Sequence, residues 1–160
     1  MIRKFAIAAG AVAAVAIVTS SAACNDDEND VAGSRGALAV ISVDAPSFAQ
    51  SGVEFGVEID AANVGINNVR DGRVVVTFES PLTARSVETS SGTTASISGN
   101  QVTWDLGTLD SNTRSRLDVR VLATLGAGES SRSARVRAEL TARGISAGDA
   151  VATDFVTITP

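Results

Sequence analysis

The chain has no histidine, no tyrosine, one cysteine, one tryptophan and three prolines in 160 residues. Without histidine there is no Ser-His-Asp triad, no Cys-His pair and no HExxH zinc helix. A single cysteine can form no internal disulfide and cannot supply a Cys-rich zinc site. Aromatic residues make up only 4% of the chain, too few for the stacking platform of a carbohydrate-binding cleft. Basic charge is scarce as well. With 13 basic and 18 acidic side chains, a net charge of -5 and a pI near 4.6, the composition argues against a phosphate-tracking nucleic-acid binder.

What is present first is an address. Arg3 and Lys4 precede an apolar stretch of 14 residues from Phe5 to Val18, and Ser21-Ala22-Ala23 provides small residues for a signal peptidase. Residues 1–23 therefore read as a cleaved signal helix. The stretch is short of the roughly 20 apolar residues that a permanent span needs. The next residue is Cys24, the only cysteine. A thiol directly after such a box is the signature of bacterial lipoprotein processing, in which the sulfur takes a diacylglycerol. An exported protein with a free thiol carries a reactive liability, and lipidation removes it. Each buried CH₂ of the acyl chains contributes roughly 0.8 kcal/mol, so two or three chains hold persistently. The expectation is a membrane-anchored envelope lipoprotein with a palmitate-type anchor on Cys24. If the cell has an outer membrane, Asn25 rather than Asp after the cysteine favours that membrane. The alternative is a plain secretory signal and a secreted protein.

Residues 24–36 follow as lipidated cysteine and tether. Asn25-Asp26-Asp27-Glu28-Asn29-Asp30 is acidic, and Gly33, Ser34 and Gly36 continue without large apolar groups. Such a segment buries too little to offset its ordering entropy and is expected to be flexible. Loss of Arg3 and Lys4 would leave 11 basic residues, all arginine, against 18 acidic ones.

From Leu38 onward the apolar period becomes two. Val53, Phe55, Val57, Ile59 and Ala61 share a parity, as do Val74, Val76 and Phe78. Leu117, Val119 and Val121 alternate with Arg116, Asp118 and Arg120, and Val136, Ala138 and Leu140 with Arg135, Arg137 and Glu139. Gly99-Asn100 between two short runs is a hairpin signal. Further breakers stand at Asp71-Gly72, Gly126-Ala127-Gly128 and Gly144 to Gly148, and a last strand is read over Asp154 to Thr159. No part of the body sustains a 3.6-residue period. Strands at roughly ten-residue spacing predict one all-β domain over residues 37–160, an antiparallel sandwich of seven to nine strands. With few aromatics, its core must be Val, Ile, Leu and Ala, with Trp104 as the largest plug.

Val102-Thr103-Trp104-Asp105-Leu106-Gly107-Thr108-Leu109 resembles the v-W-x-LG-x-L signature of a repeated bacterial and archaeal envelope domain, catalogued as domain of unknown function number eleven and similar to CARDB cell-adhesion-type domains. Ser51-Gly52, Asn63-Val64-Gly65 and Pro81-Leu82 fall in the order of that family's other markers. The resemblance spans about Leu38 to Thr159. It implies an immunoglobulin-like sandwich with a structural or adhesive role in the envelope, and it implies no catalytic residues.

Two candidate sites follow from the pattern. Arg114, Arg116 and Arg120 share one parity of a strand, and Arg135 and Arg137 do so on the next. If those strands lie in one sheet, five guanidinium groups face outward together. They could then grip carboxylates or phosphates of envelope polymers, or simply form a solvated face. Asp60, Asp71, Asp105 and Asp110 sit in or beside turns, where calcium binding and Asx-turn roles compete. No metal, cofactor or catalysis is expected. The function reads as structural, adhesive or protein-interacting, with membrane lipid and envelope proteins or polymers as partners and nucleic acid not among them. The alternative is an exported binding module for an ion, a small ligand or an envelope polysaccharide.

Overall fold

Alternation of apolar and polar side chains along extended backbone places one parity of each strand inside and the other in water. The computed structural model describes residues 16–17, 38–90, 92–143 and 145–160. Cys24, the tether and the rest of the expected signal lie outside the described residues. Eleven strands are present among the described residues: β1 (Ala16–Ile17), β2 (Ala39–Asp44), β3 (Phe48–Gln50), β4 (Glu54–Asn63), β5 (Val69–Phe78), β6 (Leu82–Thr89), β7 (Thr94–Ser98), β8 (Gln101–Leu109), β9 (Arg114–Ala123), β10 (Arg132–Ala142) and β11 (Ile145–Thr159). Ten of these fall within residues 37–160, one more than expected, the extra being β3, whose three residues are too short to show a period. β1 corrects the expected signal helix at Ala16–Ile17, where the backbone is extended and paired with β2.

The strands form two sheets, ordered β1-β2-β4-β9-β6 and β3-β11-β10-β5-β8-β7. All pairings are antiparallel except β3 with β11. The inner faces meet in one core. The first sheet contributes Ile41, Val43, Val57, Ile59, Leu117 and Val119, the second Val74, Val76, Phe78, Trp104, Leu140 and Ile158, all at most 1% exposed. Burial thus follows the parity read from the sequence on β4, β5, β9 and β10. Val53 is the exception: it precedes β4 and is 52% exposed. Trp104 and Phe78 are the largest fully buried side chains, so the tryptophan is the core plug.

Gly99-Asn100 joins β7 to β8, with Ser98 paired to Gln101 and Gly99 at φ 60°. Two other breakers are not turns. Asp71, at φ 56°, and Gly72 lie inside β5, where the pairing with β8 shifts register. A Cβ on Gly72 would stand 3.2 Å from the Leu106 Cβ, so the close approach favours glycine. Likewise β11 begins at Ile145 rather than near Asp154. Its partner register slips between Leu140 and Ala142, and Gly148 adopts φ 89°. An irregular stretch, which glycine tolerates, absorbs residues that a period-two reading assigns to a loop.

Candidate functional site: the outer face of the first sheet

Strand register assembles on this face what the sequence keeps far apart. Asp44 of β2 lies opposite Glu58 of β4, Glu58 opposite Asp118 of β9, and Asp118 opposite Glu88 of β6. One carboxylate from each of four neighbouring strands therefore forms a row across the sheet, at strand spacings of about 4.8 Å. Like charges directly opposite are destabilising. Arginines of β9 on either side of Asp118 offset this. Arg116 Nη1 is 2.9 Å from Glu58 Oε2, and its Nε donates to Asp60 Oδ1 at 3.3 Å. Arg114 lies 3.9 Å from Asp60. Arg120, on the other side, is opposite Gly56 and Ser86.

Gly56 has no side chain, and the sheet surface dips there. A recess of about 170 Å³ is lined by Gly56, Ser86, Glu88, Asp118, Val119 and Arg120. A second, of about 390 Å³, lies beside it between Asp44, Pro46, Gly56, Glu58 and Asp118. The electrostatics follow from the crowding. Partial desolvation pushes the Glu58 carboxyl above its usual value, reinforced by Asp60, Asp118 and Asp44 and opposed by Arg116. The hydrogen bond and charge of Asp60 hold the Arg116 guanidinium more firmly protonated. The face is a surface of interleaved charge that can meet a charged partner by many shallow contacts.

The arginine stripe is corrected by the topology. β9 belongs to the first sheet and β10 to the second, because residues 124–131 cross between sheets instead of turning a hairpin. Arg114, Arg116 and Arg120 therefore point away from Arg135 and Arg137, and the five share no face. On the second sheet, Arg137 donates to Glu139 at 2.6 Å and Arg135 lies 3.7 Å from Glu79. Of the turn carboxylates, Asp60 faces outward from β4, and Asp105 and Asp71 pair with Arg73 at 2.7 Å and Arg143 at 2.8 Å. Asp110 accepts from the Asn68 amide at 2.9 Å. Among the described residues, no group of three or more carboxylate, histidine or cysteine side chains is placed to hold a metal ion, and no helix is long and apolar enough to cross a membrane.

The carboxylate row was missed because each member occupies the solvent parity of its own strand, and only pairing register aligns them. In the sequence Asn63 stands out only through the Asn63-Val64-Gly65 marker of the resemblance. It is fully buried; its amide donates to the carbonyls of Asn67 and Leu109 at 2.8 and 3.0 Å, and its Oδ1 accepts from the Gly65 N–H at 3.0 Å.

This arrangement is an immunoglobulin-like β-sandwich of the kind used by CARDB, cohesin and pilin domains. A CARDB domain of the PF1109 protein from Pyrococcus furiosus, determined in complex with di-metal ions, is similar at TM-score 0.52 and 15% identity, over 76% of this chain and 93% of that one. A type I cohesin from Clostridium thermocellum, in a cohesin–dockerin complex, is similar at TM-score 0.52 and 12% identity, over 70% and 88%. BcpA, the major pilin subunit of Bacillus cereus, is similar at TM-score 0.53 and 13% identity, over 77% of this chain and 41% of that protein. No family model matches the chain, and no curated protein does.

Proposed function

We propose that the protein is a non-catalytic interaction module held at the cell envelope by acyl chains on Cys24. The carrying observation is the outer face of the first sheet, where carboxylates and arginines alternate around the dip at Gly56. An open, mixed-charge face suits a macromolecular partner better than a small substrate, which needs enclosure. Similarity of fold to a cohesin seen with its dockerin, and to a pilin subunit, supports the same reading. The anchor is supported by the export segment and the lone cysteine behind it. The Trp104 and Gly107 signature supports assignment to the repeated envelope domain.

Two measurements test this. Intact mass of the mature protein should equal residues 24–160 plus acyl groups, and an unmodified thiol on soluble protein would defeat the anchor. In a Cys24→Ser background, binding of the soluble body to isolated envelopes should fall when Glu58, Asp118 and Glu88 become Gln, Asn and Gln. It should also weaken with added salt. Undiminished binding by the triple variant would remove the face from the proposal.

A further inference from the structure

Edges of sheets invite pairing with other chains unless they are short, bulged or charged. β3 and β7 have three and five residues, and β6 carries Arg85 and Glu88 with a register shift between Ala84 and Ser86. β2 has no bulge, and its one charge is the terminal Asp44. It pairs regularly with β4 over six residues, from Ala39 opposite Asn63 to Asp44 opposite Glu58, and Ala39 to Val43 are uncharged. Its free side is covered by β1, antiparallel, with Ala16 opposite Ile41 and Ile17 opposite Val40. The Leu38 carbonyl accepts from the Val64 N–H on the β4 side. Alternation along the strand therefore turns the N–H and C=O of Ala39, Ile41 and Val43 towards β1.

Ala16 and Ile17 lie within residues 1–23, the segment read as a cleaved signal. Removing it uncovers an edge already shown to accept an uncharged antiparallel strand. We propose that in the processed protein β2 pairs with β2 of a second copy, about a two-fold axis through Ile41; this rests on the envelope reading above, which requires the cleavage. The antiparallel sense of β1 is the sense that such an axis imposes. The register sets Ala39 opposite Val43, Val40 opposite Ser42 and Leu38 opposite Asp44, so core-facing residues stay on the core side and no like charges meet. Lipid anchoring adds a second reason. β2 begins 15 residues after Cys24, so anchored copies hold this edge in one plane at raised effective concentration.

The test uses the lipidated protein in its own cells. One tagged copy carries Val40→Cys and another Ser42→Cys. Directly opposite residues of a non-hydrogen-bonded pair have Cα atoms about 4.5 Å apart, within disulfide reach. The mixed pair should cross-link several-fold more than either variant alone, and more than Ser96→Cys with Ile97→Cys on β7. No mixed cross-link in protein lacking residues 1–23, or a yield no greater than at β7, would overturn the inference and leave the envelope reading standing. Retention of residues 1–23 in the mature protein, read by mass, would overturn both, since β1 would keep its place.

Discussion

Two buried residues show how differently polar groups are tolerated inside this sandwich. Trp104 is fully buried, and its indole Nε1 has no hydrogen-bond partner among the described residues. An unsatisfied buried donor costs about 1–3 kcal/mol, while truncation of a buried tryptophan to alanine costs about 3–5 kcal/mol. Trp104→Ala is therefore expected to lose that amount in urea denaturation. Trp104→Phe removes the stranded donor together with part of the ring, so its loss should be clearly smaller. Equal losses would mean the Nε1 carries no penalty. Asn63 is the opposite case, with both amide hydrogens and its oxygen engaged. Asn63→Asp would turn a carboxylate onto two carbonyls. Its folded pKa would rise, so the native state would bind the extra proton and the variant should be less stable at pH 7 than near pH 4, relative to the parent. A pH-independent difference would show that the amide donors are dispensable.

At the scale of elements, the same linkage acts on the native face. Glu58 has its carboxyl raised above the ordinary 4.5, chiefly by partial desolvation. The folded state then holds this proton more tightly than the unfolded chain. Stability contributed here is fully present below the unfolded value and is lost as pH rises through the folded value. Glu58→Gln should flatten the stability profile just above pH 4.5, measured as urea midpoints across that range. An unchanged slope would place the titrating group elsewhere. The origin of this group's environment also explains what the sequence could and could not disclose. Parity within a strand is local, so Val57, Ile59, Leu117 and Val119 were legible as core, and Gly99-Asn100 as a hairpin. Register between strands is set by packing across long separations. Asp44, Glu58, Asp118 and Glu88 therefore gave no sign of lining up, and Arg120 and Arg137 gave no sign of parting onto opposite faces. Asp71-Gly72 and Gly148 misled because a residue that permits positive φ serves an irregular strand as readily as a turn.

For the molecule as a whole, the question is whether two sheets make one cooperative unit. Neither sheet has a core of its own; each buries its inner face only against the other, as with Ile59 and Leu117 on one side and Trp104 and Leu140 on the other. One cysteine leaves no internal disulfide to hold either sheet alone. Separating the sheets would expose both inner faces at once, at roughly 25 cal/mol per Å² of apolar surface. An intermediate with one sheet intact should therefore never accumulate. The composition supplies the probe, because fluorescence of the lone tryptophan reports the second sheet while far-UV circular dichroism reports strands in both. The two urea transitions are expected to coincide in midpoint and slope. Fluorescence that changes at lower urea than the dichroism would show that the second sheet comes apart first and that the sandwich is not one folding unit.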